Sequence, residues 1–176
     1  MSLQQMNIGF SPVEDRLILR ITGKTEDGSA EYRFWLTRRL VRLLWDGLEK
    51  VLEADTATDP RVDPEAREMV KQWKEEEAIS KADFTTPFTP APMALPLGEA
   101  PILVSKIQLK SMGPDQKVVV LNNEAGVGIT LALKPEMIHS IRKLIADAAL
   151  KAEWDLDLSV LAGAAALSAD GHRIIN

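Results

Sequence analysis

YRFWLTRRLVRLLW, residues 32–45, joins two periodicities. Tyr32, Phe34 and Leu36 alternate with Arg33 and Trp35, the period of a half-buried strand. From Leu40 onward, Leu40, Val41, Leu44 and Leu48 follow the spacing of one helix face. Three arginines, Arg38, Arg39 and Arg42, crowd the start of that helix, where negative charge is normally favoured. Such a helix start calls for an anionic neighbour. The acidic run Glu75 to Glu77 and a phosphate are the two candidates, with the internal acids preferred.

The same junction recurs downstream. Ile129, Leu131 and Leu133 alternate in ITLAL, and KPEMIHSIRKLIADAALKAEW follows. Shifted by 97 positions, Leu40, Val41, Leu44 and Leu48 fall on Met137, Ile138, Ile141 and Ile145. With a shift of 101, Met6 and Ile8 fall on Ile107 and Leu109. The turns SPVED and GKTEDGSAE of the first half correspond to SMGPDQ and NNEAGVG of the second, all rich in turn formers. The reading is an α+β fold built by internal duplication of a β-meander plus helix, βββα twice. The two units, residues 1–54 and 101–154, are expected to pack as one body.

Strand parity sorts the faces. Met6, Ile8, Phe10, Leu17, Leu19, Ile21, Tyr32, Phe34 and Leu36 are expected in the core. Ile107, Leu109, Val118, Val120, Ile129, Leu131 and Leu133 are expected there in the second unit. The opposite faces then carry Arg16, Ile18, Arg20, Arg33 and Trp35, and Lys106, Gln108, Lys110, Lys117, Val119 and Thr130. The acids Glu14, Asp15, Glu31 and Asp115 are placed at turns or strand ends.

Between the units lies residues 55–100, an acidic insert. Asp63, Pro64 and Glu65 suit an N-cap, a first helical position and a first turn. The helix they open has a thin apolar stripe of Ala66, Met69, Val70 and Trp73, and Glu75 to Glu77 read as solvated charge. FTTPFTPAPMALPLGEAP follows, too rich in proline for a helix or central strand. It is expected to run extended, with Phe84 and Phe88 as candidate anchors to its own body, to a sister subunit or to another protein, packing within the same assembly being preferred. Residues 155–176 form a C-terminal tail in which LAGAAAL suits a short helix.

Charge follows this division. Residues 1–54 carry eight basic and eight acidic side chains, and residues 55–100 carry five and ten. Residues 101–154 carry seven and five, so the overall charge of −5 comes from the insert and tail. There are no cysteines, which excludes disulfides and thiolate chemistry and fits a reducing, cytoplasmic setting. No apolar run is long enough to span a bilayer. His139 and His172 are the only histidines, and neither has a partner spaced to share a metal; His139 is read as a surface or boundary residue. Gly126 to Gly128 read as a hairpin turn, and no serine sits in a nucleophile-elbow setting. No catalytic set, metal site or cofactor site is read from the chain.

The outward strand faces remain. Cations that follow phosphates, beside a ring on which any base can stack, are what sequence-independent single-stranded binding needs. Arg16, Arg20, Arg33 and Trp35 form such a set, extended by Lys106, Lys110 and Lys117. The tandem order of antiparallel strands closed by a helix resembles the Whirly and PUR-repeat families of single-stranded nucleic-acid binders. The likeness covers residues 1–54 and 101–154 and lies in the order of elements. Those families have four strands per repeat, against three read here. It implies strands presented to single-stranded DNA or RNA. The alternative is a protein-interaction scaffold acting through the insert. A homodimer is expected in either case, with the proline-rich arm lying across the partner.

Overall fold

The computed structural model describes residues 2–53, 63–86, 88 and 93–158. The first half forms β1 (Ser2–Ser11), β2 (Arg16–Thr25), β3 (Gly28–Leu36) and α1 (Arg38–Glu53). The insert supplies α2 (Pro64–Lys81) and a short β4 (Ile102–Leu103) follows it. The second half forms β5 (Lys106–Ser111), β6 (Lys117–Asn122), β7 (Gly128–Leu133) and α3 (Pro135–Lys151). The fold is α+β: among the described residues there is one sheet in the order β1-β2-β3-β4, a second in the order β5-β6-β7, and three helices. Both halves run strand, strand, strand, helix. The expected helix in the tail falls on residues 159–176, outside the described residues.

The first meander follows its hydrophobic alternation. Ile8 pairs with Leu19 and Leu19 with Phe34, so the apolar parities of three strands share one face. Ile8, Leu17, Leu19, Ile21, Phe34 and Leu36 are buried, with Met6, Phe10 and Tyr32 packed partly against them. Thr37 then caps α1, its hydroxyl accepting from Leu40 N at 3.3 Å. That cap supplies part of what the arginine-rich first turn lacks in charge.

The second meander departs from its expected parity. Leu109 pairs with Val119 and Ile107 with Leu121, so Val119, Leu121 and Lys117 face inward. Val118 and Val120 lie half-buried on the outer face, the reverse of the expectation. The turn between β5 and β6 spans five residues, 112–116, against four, 12–15, in the first half, and a one-residue slip exchanges the faces of a whole strand. Lys117 therefore takes the place of Leu17. It is 0% exposed, with its ammonium donating to Gly113 O at 2.6 Å and Ser111 Oγ at 2.9 Å.

The halves are interlocked. α1 packs on β5, α3 packs on β1, and the two helices touch. Gly47 of α1 permits the first contact: a Cβ there would lie 2.6 Å from Leu109 Cδ1. One continuous hydrophobic core spans both halves. Two consecutive amides tie the sheets together, Val104 N to Trp35 O at 3.1 Å and Ser105 N to Asn122 O at 2.9 Å. Trp154, after α3, closes back on the first turn: its indole N–H donates to Asp15 Oδ1 at 3.0 Å, and its ring meets Phe10 edge-on.

The insert is part of this body. β4 pairs in parallel with β3, Phe34 opposite Ile102. Ala94 bonds both ways to the same edge, accepting from Glu31 N and donating to Ser29 O. α2 starts where expected, with Asp63 accepting from Glu65 N at 3.2 Å. Its faces, however, are inverted. Glu75 is only 6% exposed and Ala78 is buried, whereas Met69 and Trp73 are 69% and 61% exposed. The expected apolar stripe faces outward, because the side turned to the body is held by ion pairs.

Candidate functional site

The outer face of the first sheet carries the expected residues in rows. Ile18 pairs with Trp35, and Trp35 with Leu103, which is exposed. Arg20 pairs with Arg33, and Thr22 with Glu31. Glu31 lies inside β3 and on this same face, not at a strand end as expected, and it is buried, with its N–H donating to Ala94 O. Arg33 grips it with both arms of its guanidinium, Nε to Oε1 at 2.8 Å and Nη2 to Oε2 at 3.0 Å. The Arg33 bond holds the Glu31 carboxyl below its ordinary range against the effect of burial. Arg33 Nη1 also donates to Glu99 O. A cation fixed in this way is structural, so its candidacy as a free phosphate ligand falls.

Arg20 is likewise occupied, its guanidinium lying 5.8 Å from the centre of the Phe88 ring. Arg16 pairs with Glu14 at 3.3 Å. Trp35 is half-buried between Ile18 and Leu103. Phe84 lies under Lys143 of α3, 5.7 Å from Nζ to ring centre. Both phenylalanines thus anchor the arm on its own chain. Asp83 starts the arm by accepting from the amides and hydroxyls of Thr85 and Thr86, which hold its carboxyl well below the usual range.

The second sheet is different. Its three strands contain no acidic residue. Lys106, Gln108, Lys110, Thr130 and Ala132 are exposed on its outer face. Lys106 Nζ donates to Glu124 O at 3.2 Å and lies 3.8 Å from that residue's carboxylate. Lys110 has no ion pair among the described residues. Lys117 is removed from the expected set by its burial in the core.

At the start of α1, Arg38 donates to Asp155 O at 3.0 Å. Arg39 and Arg42 are exposed and make no ion pair among the described residues. The expected internal partner, Glu75, is engaged elsewhere. Arg142 Nη1 lies 3.1 Å from Glu75 Oε1, both side chains buried, and the guanidinium stacks on Trp45 with 4.5 Å from Cζ to ring centre. His139, buried rather than at the surface, has Nδ1 3.9 Å from the same carboxylate, beyond a hydrogen bond. Lys71 reaches Glu49 at 3.3 Å and Glu53 at 3.2 Å, locking α2 to α1. Among the described residues no group of three or more His, Asp or Glu side chains is placed to hold a metal ion, and no helix is long and apolar enough to cross a membrane.

Sequence reasoning missed Glu31, Glu75, Trp45 and Arg142 as one class, buried charge with its partners. For Glu75 the helical phase was the available signal: Lys71, Glu75 and Ala78 share one side of α2. No family model matches the chain, and neither a curated protein nor a solved structure matches it.

Proposed function

We propose that the protein is a non-enzymatic binding protein that takes single-stranded DNA or RNA on the outer face of its second sheet, without regard to sequence. The observation that carries this reading is a sheet of three strands with no acid in them and with Lys106 and Lys110 exposed along its edge strand. Gln108 and Thr130 lie between or beside them, and Val118 and Val120 form a half-buried floor. Lysines here contact phosphates, which carry no base identity. Trp35, half-buried beside the junction of the two sheets, offers a ring for stacking.

The test is fluorescence anisotropy of short labelled oligomers at low and moderate salt. Joint replacement Lys106→Gln and Lys110→Gln is expected to weaken binding, and Trp35→Ala to cost on the order of 1–3 kcal/mol if a base stacks on the indole. Absence of binding at low salt and micromolar protein overturns the reading.

A protein-interaction role is the second reading, favoured by one specific observation. Met69, Val70 and Trp73 are exposed together on α2, and a contiguous apolar patch on a soluble surface marks a contact site. A homodimer through this face accords with that reading, and light scattering at high concentration tests it.

A further inference from the structure

The interlocking of the halves creates two grooves in corresponding places, and among the described residues the arm lines one of them. The first lies between the free edge of β1, residues 3–7, and α3, where Met137, Ser140, Ile141 and Leu144 face it. The arm, including Ala82, Asp83, Phe84 and Phe88, runs along it as an outer wall. The second lies between the free edge of β5, residues 105–109, and α1, where Leu40 and Leu43 face it. By the helix shift of 97, Leu40 and Leu43 stand where Met137 and Ser140 stand. This second groove has a volume of about 480 Å³, none of the described arm residues lines it, and Leu43 is 53% exposed.

We propose that the β5–α1 groove binds an extended acidic segment of a partner protein that carries an aromatic residue, laid along β5. Charge complementarity selects this occupant. Among the described residues the groove lining contains Lys106, whose Nζ lies 3.8 Å from the Glu124 carboxylate, and no acid. Arg39 lies one helical turn before Leu43 on the same side, and Arg42 adjoins it, both exposed and without ion pairs among the described residues. The edge of β5 beyond β6 offers backbone donors and acceptors for an added strand, which gives affinity, while the leucines offer a seat for a ring, which gives selectivity. The arginines at the start of α1 then have the anionic neighbour that their position calls for. The arm-lined groove supplies the aromatic part of the template, Phe84 and Phe88 both lining it, while the Asp83 carboxylate is taken up by Thr85 and Thr86 of the arm itself.

The probe is a fluorescein-labelled peptide, Ala-Asp-Phe-Thr-Thr-Pro-Phe, the sequence of residues 82–88, titrated into the full chain. Saturable binding is expected, weakened at least about tenfold by Leu43→Glu and by Arg39→Glu with Arg42→Glu, and reduced by salt. These side chains are exposed, so circular dichroism should show the fold unchanged. Equal binding to the wild type and to Leu43→Glu overturns the proposal, since the probe would then sit in the β1–α3 groove. No binding at millimolar peptide also overturns it. So does a single-stranded oligonucleotide whose binding is lost in Leu43→Glu while the peptide fails to bind, which assigns the groove to nucleic acid. The outer-face variants Lys110→Gln and Trp35→Ala should leave peptide binding intact, so failure of the nucleic-acid reading and failure of this one are distinguishable.

Discussion

Trp45 and Arg142 hold the same position in the helices of the two halves, 97 residues apart, and they stack on each other with 4.5 Å from guanidinium carbon to ring centre. The pair marks where α1 and α3 cross. A cation on an aromatic face is attracted by the ring quadrupole, more strongly when both are out of water. Glu75, brought in by α2, neutralises the guanidinium at 3.1 Å. One buried cation therefore holds all three helices.

Removing one partner of this cluster should be severe. Arg142→Ala leaves Glu75 buried without its cation, and a loss of about 3–5 kcal/mol is expected. Glu75→Gln keeps one hydrogen-bond acceptor and should cost less. The double replacement Glu75→Leu with Arg142→Leu should cost less than the sum of its two single changes, because neither charge is then stranded. Urea unfolding of the four chains measures the coupling, and strict additivity would refute it.

Acid should weaken the protein through two carboxylates. Burial raises the affinity of Glu75 for its proton, but His139, Arg142 and Lys71 more than offset it, so its pKa is lowered from 4.5. Glu31 is lowered likewise, chiefly by its bond with Arg33. Both protonate less readily folded than unfolded. Their stabilisation is thus complete above the unfolded carboxylate range and is lost as pH falls through the folded values. Thermal melts should show a plateau near neutrality and a falling Tm below about pH 4.5, with a shallower fall in Glu75→Gln.

The first meander was legible because its apolar residues lie mostly on one parity, Ile18 and Trp35 being the exceptions in β2 and β3. Leu17, Leu19 and Ile21 are each flanked by polar residues or by Ile18 alone, and the register followed. β6 was not legible, because Val118, Val119 and Val120 are apolar at both parities, and the face was fixed instead by turn length. The outward cations were also legible as a set, but not their occupation. Arg33 and Glu31 are two apart in a strand and so share a face, a relation parity could have found. Arg20 meeting Phe88, and Glu75 meeting Arg142, depend on where the insert folds back, which no local pattern encodes.

Gly128 is expected to be intolerant of any side chain. It opens β7 opposite Asn122, and a Cβ there would lie 1.8 Å from Leu121 O, a backbone atom that cannot rotate away. Gly128→Ala should cost roughly 1–3 kcal/mol or more by forcing the hairpin apart. Gly126 is set by conformation instead, with φ near 80° and open space around it. Gly126→Ala should cost about 1–2 kcal/mol, and Gly126→Asn less, since asparagine tolerates the left-handed region. Denaturant midpoints of the three variants check the order.

Salt dependence separates the cations that face solvent from those that hold the fold. Each phosphate neutralised on a single strand contributes about −0.7 to the slope of log K against log salt. Lys106 and Lys110 are the two exposed cations of the second sheet face, so the slope for a short oligomer should be near −1.4. Lys110→Gln should reduce its magnitude by about 0.7. Arg33→Gln should leave the slope unchanged, because Arg33 is committed to Glu31. It should instead lower stability by about 1–3 kcal/mol, since the Glu31 carboxylate is left buried without its donor. A titration series at four salt concentrations, with a melt of each variant, gives both quantities. If Arg33→Gln flattens the slope and spares the melting temperature, the first sheet and not the second carries the nucleic acid.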